Sequence, residues 1–172
     1  MKGADEESKD GEIVIPQNVK ELGISEMAAQ SVKFSPSGRY FAILSENDFI
    51  IYTYPKYQNA AFGSATELVW STYGATDLHT YATRLENGTV KVYQSFAESK
   101  AFKTSFGNEG IFGGRLLAVK SKDFITFYDW EEFRVVRRID VSSPVKQVIW
   151  SDDGTQVILA LEETFYLLQF NN

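Results

Sequence analysis

Beyond an acidic first stretch, apolar residues come in runs of four to eight, each broken by Gly, Pro, Asn, Asp or Ser. No stretch keeps apolar residues at i, i+3, i+4 and i+7, so helices are not expected. The runs at 41–44, 116–119 and 157–161 are continuously apolar, as strands covered on both faces are. Aromatic residues make up 15% of the chain, and their bulk suits a pleated, half-buried surface. The pattern predicts an all-β domain over 12–172, preceded by a flexible acidic lead-in at 1–11.

The strands repeat. An aromatic followed by a turn recurs at Phe34, Trp70, Phe112 and Trp150, with Pro36-Ser37-Gly38, Gly74, Gly113-Gly114 and Asp152-Asp153-Gly154 in the turns. The spacings are 36, 42 and 38 residues. A second series of turns keeps step at Asn47-Asp48, Asn87-Gly88, Lys122-Asp123 and Glu162-Glu163. Asn87-Gly88 predicts a two-residue type I′ hairpin, whose central residues both need positive φ. The strands that follow, at 49–53, 90–94, 125–129 and 167–171, each end in an aromatic and a polar residue, where a WD repeat carries Trp-Asp. A more polar fourth strand follows in three units, for example at 100–104 and 133–139.

Four strands per unit at a period near forty is the signature of a propeller blade. The fold class is therefore all-β, a WD-repeat-type β-propeller fragment of about four four-stranded blades, with units near 24–63, 64–105, 106–140 and 141–172. Phe34, Trp70, Phe112 and Trp150 are expected at equivalent, largely buried positions between blades. About seven blades close a ring of this kind. Four leave two blade faces without neighbours, carrying Ile43, Ile51 and Val157 or their alternating partners. The isolated chain is thus expected to self-associate.

Charge and candidate chemistry narrow the function. The first twelve residues hold half of the net charge of −6, and no basic cluster of the size that nucleic acid requires is present. Cysteine is absent, which removes disulfides, thiolate nucleophiles and cysteine zinc sites. No apolar run approaches the roughly 20 residues of a membrane helix. With an acidic amino terminus, the expected residence is cytoplasmic.

His79 is the single histidine, with no partners in sequence for a triad or metal, and Leu78, Thr80 and Tyr81 predict that it lies in a strand. The acid pairs Glu131-Glu132, Asp152-Asp153 and Glu162-Glu163 fall in turns, where carboxylates bond locally. The glycine-rich stretch 107–114 leads into a strand, so it lacks the helix of a phosphate cradle and is expected to permit close blade packing. Asn87-Gly88-Thr89 matches a glycosylation sequon, yet its turn role accounts for it. Arg134, Arg137 and Arg138 read as a solvated outer strand that discourages strand addition. No catalytic, cofactor or metal residue is assigned. A propeller enzyme is the competing class, but the inner strands at 67–70 and 147–150 lack the clustered charges such a channel needs.

Several longer strings are more specific. Tyr57-Gln58-Asn59-Ala60-Ala61-Phe62-Gly63-Ser64-Ala65 and Phe106-Gly107-Asn108-Glu109-Gly110-Ile111-Phe112-Gly113-Gly114 resemble the beta-prime subunit family of coatomer, the COPI vesicle coat. Phe127-Tyr128-Asp129-Trp130, Arg137-Arg138-Ile139, Trp150-Ser151-Asp152-Asp153-Gly154 and Glu162-Glu163-Thr164-Phe165 extend the resemblance, as do Val19-Lys20-Glu21-Leu22-Gly23 and Pro36-Ser37-Gly38-Arg39-Tyr40. The resemblance implies the second of two propellers that precede a helical solenoid. It implies a structural, non-catalytic role in Golgi-to-ER and intra-Golgi transport, with the other coatomer subunits as partners. It also implies peripheral membrane association through the assembled coat, on Golgi membranes and COPI-coated vesicles. The family reads dilysine cargo signals mainly with its first propeller, so no cargo residue transfers to this chain. A generic WD-repeat scaffold outside trafficking is the alternative.

Overall fold

The short apolar runs and their turns fold, in the computed structural model, into four antiparallel sheets formed one after another along the chain. The structure describes Glu21 and residues 23–25, 27–73 and 79–171. The acidic lead-in, Val19, Lys20, Leu22 and Gly74 lie outside these residues. Blade 1 comprises β1 (Ser31–Phe34), β2 (Tyr40–Leu44), β3 (Asp48–Thr53) and β4 (Asn59–Ser64). Blade 2 comprises β5 (Glu67–Trp70), β6 (Tyr81–Arg84), β7 (Thr89–Gln94) and β8 (Ala97–Lys103). Blade 3 comprises β9 (Gly110–Phe112), β10 (Leu117–Lys120), β11 (Phe124–Tyr128) and β12 (Val135–Asp140). Blade 4 has three strands, β13 (Gln147–Trp150), β14 (Gln156–Ala160) and β15 (Phe165–Gln169).

The blades are copies in detail. In each of the first three, the register between third and fourth strands shifts at one place, Ile51/Tyr52, Val92/Tyr93 and Phe127/Tyr128. Such a bulge adds twist and turns the outer strand away from flat pairing. Cross-strand partners extend the equivalence to blade 4: Ala42 faces Ile51, Ala82 faces Val92, Ala118 faces Phe127 and Ile158 faces Leu167. Leu168 therefore takes the place of Tyr52, Tyr93 and Tyr128. Phe170, which the sequence pattern puts there, lies beyond β15 with its ring 6.0 Å from Trp150.

Three turns are closed by a left-handed glycine. Gly38, Gly88 and Gly154 have φ of 68°, 80° and 67°, and donate their N–H to Ser35, Leu85 and Ser151. Asn87 has no positive φ, so the Asn87-Gly88 turn is not type I′. Its Oδ1 accepts from Thr89 N at 2.9 Å, and the chain turns through Glu86 and Asn87 before Gly88 restores the register. That is the bulged, one-residue-longer alternative.

Because strand side chains alternate between faces, each blade buries one face against the next. The core is three layers between blades. Ala42, Leu44, Phe49 and Ile51 of blade 1 meet Leu68, Trp70 and Tyr81. Val69, Ala82, Val90 and Val92 meet Ile111, Leu117, Val119, Tyr128 and Trp130. Ala118, Ile125 and Phe127 meet Val157 and Leu159. Each large side chain so buried contributes about 1.5–3 kcal/mol.

Candidate interaction surface

The residues weighed for chemistry do not converge. His79 is not in a strand: it precedes β6 with φ 41° and packs its ring 4.5 Å from Tyr40 and 5.9 Å from Phe96, at the junction of blades 1 and 2. Asp129 Oδ1 accepts from the backbone of Glu131 at 2.9 Å and Glu132 at 2.7 Å, an ordinary turn cap. Asp153 accepts from the Ser151 hydroxyl and from Thr155 N at 3.0 Å, and those donors, the hydroxyl foremost, hold its carboxyl at about 2. Glu162 and Glu163 are exposed between β14 and β15. Just before outer strand β12, Arg134 pairs with Glu132; on the strand, Arg138 pairs with Asp140 at 3.3 Å and lies 3.6 Å over Phe124. Among the described residues no group of three His, Asp or Glu could hold a metal ion.

What the chain builds with care is the contact between blades, closest along the first strands. Gly114 N donates to Trp70 O at 3.1 Å and Thr72 N to Gly114 O at 3.0 Å. A Cβ on Gly113 would lie 2.2 Å from Trp70 O, and one on Gly114 would lie 2.2 Å from Trp150 Cδ1. Gly113 lets blades 2 and 3 approach to backbone contact, and Gly114 makes room for the Trp150 indole of blade 4. Lysines also cross the gaps: Lys33 Nζ donates to Leu68 O at 3.0 Å and Lys120 Nζ to Val145 O at 3.3 Å. Arg84 donates to Asn108 O at 2.7 Å, tying blade 2 to the lead-in of blade 3. Glu67 sits among Lys33, Arg84 and Lys120, with Arg84 Nη1 3.5 Å from its Oε2. Burial still pushes the Glu67 carboxyl up, outweighing the cations, and burial pushes the Lys33 amine down.

The four turn aromatics are not equivalent. Phe34, Trp70 and Trp150 face Phe41, Tyr81 and Val157 at matching places, on the side of their sheets toward the preceding blade. Trp70 is buried and its Nε1 donates to Lys33 O at 3.2 Å; Trp150 is half-buried. Phe34 is 57% exposed, because among the described residues no blade precedes it. Phe112 pairs with Ala118 and faces the opposite way, into the layer against blade 4. The register slips by one residue, which flips the face. Gly113 takes the equivalent place, and Trp130 supplies the missing indole. It is buried between blades 2 and 3 with Nε1 donating to Gly114 O at 2.9 Å. The indole after the Tyr128-Asp129 pair was visible in sequence, but no repeat marks it.

Among the described residues, two faces stay uncovered. On blade 1, Val32 and Phe34 are exposed, as is Phe62, whose place on the third-strand partner Ile50 points the same way. Their counterparts Leu68 and Trp70 are buried. On blade 4, Leu167 is 60% exposed, although its counterparts Ile51, Val92 and Phe127 are buried. Phe165 is 65% exposed where Phe49, Val90 and Ile125 are buried, and Ile149 is exposed beside them. Ile43, Ile51 and Val157, named from sequence for these faces, are themselves buried; Ile43 does lie on the blade 1 face, paired with Val32, while Ile51 and Val157 pack in the layers between blades.

The COPA/B second beta-propeller family matches residues 2–172. Coatomer subunit beta'-1 of Oryza sativa subsp. japonica is 44% identical over 170 residues, 98% of this chain and 18% of its own length. Coatomer subunit beta' of Homo sapiens is 40% identical over 166 residues, 96% of this chain and 18% of its own. The chain thus spans under a fifth of the curated relatives it matches. Among solved structures, Kluyvelomyces marxianus Hsv2 aligns with a TM-score of 0.58 at 10% identity, covering 83% of this chain and 48% of that one. A chain of the mitotic checkpoint complex aligns at 0.63 and 13% identity, covering 82% and 49%. These two bear on the fold alone.

Proposed function

This chain belongs to the COPA/B second beta-propeller family, and from that premise we propose that it is a structural, non-catalytic part of a COPI coat subunit. The observation that carries the reading is the family match over 2–172, on a fold whose specialised features are all blade-to-blade contacts. Its partners are the other coatomer subunits, met through protein surfaces. It reaches the cytoplasmic side of Golgi membranes and COPI-coated vesicles as a peripheral component of the assembled coat. The transport steps served are Golgi-to-ER retrieval and movement within the Golgi. Nucleic acid is not a partner, in keeping with the acidic net charge of −6.

The test is to tag the protein that carries this chain in its own cells, purify coatomer, and image the tag. Co-purification with the coat subunits and Golgi-associated fluorescence are expected. A tagged protein absent from purified coatomer would overturn the assignment.

A further inference from the structure

Asn87 is the one asparagine of the sequence that precedes a glycine. The fold sets it, exposed, at the tip between β6 and β7. From this geometry we infer a modification site: Asn87 loses its side-chain amide spontaneously and becomes an aspartyl or isoaspartyl residue. Gly88 N attacks Asn87 Cγ, its proton passes to solvent, and ammonia leaves as a cyclic succinimide closes. Water then opens the ring. Addition at the side-chain carbonyl gives aspartate, and addition at the main-chain carbonyl gives isoaspartate. Overall one amide and one water become one carboxylate and one ammonium, and nothing is oxidised or reduced.

The nucleophile is bare. Glycine has no Cβ to shield its nitrogen, and the nearest atom to a Cβ placed on Gly88 is Asn108 Cβ at 3.8 Å. Asn47, Asn59 and Asn108 are followed by Asp48, Ala60 and Glu109, whose side chains crowd the nitrogen. The electrophile is held and polarised. Asn87 Oδ1 accepts from Thr89 N at 2.9 Å, which folds the side chain back along the Asn87-Gly88 peptide. That donor sits on the oxygen that gains negative charge as Gly88 N attacks, as in an oxyanion hole. The brakes are few. Gly88 N donates to Leu85 O at 2.9 Å, and Asn108 Nδ2 donates to Gly88 O at 3.1 Å. An ordinary hydrogen bond slows opening by about tenfold, so the two together slow the reaction about a hundredfold at most.

The product acts beyond the turn. Isoaspartate routes the main chain through Cβ, so Gly88 moves out by one methylene and its carbonyl leaves Asn108. Asn108 is the residue on which Arg84 Nε and Nη2 converge, at 3.2 and 2.7 Å. The tie between blades 2 and 3 is thus weakened from the tip inward. The inference goes beyond the coat reading and leaves it standing if it fails, since that reading is scored by co-purification with coatomer.

The test holds the protein that carries this chain at physiological temperature and mildly alkaline pH, then digests it with trypsin. Cleavage after Arg84 and Lys91 frees the peptide 85–91. Mass spectrometry follows its amide-to-acid conversion against a time-zero sample, and isoaspartyl methyltransferase counts the isoaspartate. A synthetic peptide of the same sequence gives the rate without the fold. Conversion at Asn87 is expected within about a hundredfold of the peptide's rate, rising with pH, while Asn59 and Asn108 stay amides. A slower rate in the folded protein overturns the inference, as does Asn59 or Asn108 converting as fast as Asn87. Urea denaturation reads the consequence. The midpoint is expected to fall in step with the isoaspartyl fraction, and to hold in Asn87→Gln, whose longer side chain closes its ring far more slowly. An isoaspartyl protein with the midpoint of the fresh one overturns the link to the blade junction.

Discussion

Gly113→Ala adds one methyl group at the point where blades 2 and 3 touch, and the structure sets its effect. The new Cβ would lie 2.2 Å from Trp70 O, and 3.1 Å from both Trp70 C and Trp70 N. The obstacle is backbone, so no side chain can swing aside. Gly113 does not have a positive φ, so dihedral strain adds nothing and the cost is steric. Relieving the clash needs a shift of nearly an ångström between two sheets, and overpacking of this kind costs about 1–3 kcal/mol. The same shift loosens the bonds from Gly114 N to Trp70 O and from Thr72 N to Gly114 O, at about 1 kcal/mol each. A total loss of about 3–5 kcal/mol follows. Gly107→Ala is the matched control, because nothing lies within 4 Å of its Cβ position. There the methyl only restricts the unfolded chain, a gain of about 0.4–1 kcal/mol. Urea denaturation followed by circular dichroism compares the two. Opposite signs are expected; equal effects, or a Gly113→Ala loss below about 0.5 kcal/mol, would refute the account of the blade contact.

Other outcomes follow from the same structure. Trp130→Ala is expected to cost about 3–5 kcal/mol as a large buried side chain removed, and Trp130→Phe less; an Ala variant with an unshifted midpoint would remove Trp130 from the core. The Asp153 carboxyl titrates at about 2, so by linkage the support of its turn is complete above the ordinary value of 3.8 and lost as pH falls from there toward 2; a carbon-13 titration midpoint near 4 would contradict this. Glu67 has the opposite sign: its raised pKa means that stability gains as pH falls through that value. The wild type should therefore show a stability difference between neutral and mildly acidic pH that Glu67→Gln lacks, and identical profiles would remove Glu67 as its source.

Much of this protein is written in its hydrophobic pattern. Short apolar runs with turn residues between them specify strands, and their recurrence every 36 to 42 residues specifies blades, because each blade repeats the same local problem of four strands and three turns. The strings around Asn59–Ser64 and Gly110–Phe112 were enough to point to the family, and the strands formed there. Turn geometry was less legible. Asn87-Gly88 suits a type I′ hairpin on local grounds, yet the chain spends one more residue and leaves Asn87 with negative φ, because the pairing of β6 with β7 sets the register. His79 reads as a strand residue from its neighbours, but it bends with positive φ to meet Tyr40 of another blade edge-on.

The division has a physical cause. A period of two tells that a strand has two faces, and says nothing of what lies against either. Phe34 and Trp70 share a sequence context, yet one is exposed and the other buried, because only Trp70 has a preceding blade among the described residues. Phe112 looks like their repeat, but a one-residue slip turns it to the opposite face, and Gly113 and Trp130 divide its expected place between them. Local sequence determined the strands and their count. Burial, which depends on residues some forty positions away in the neighbouring blade, was decided only when the blades were stacked.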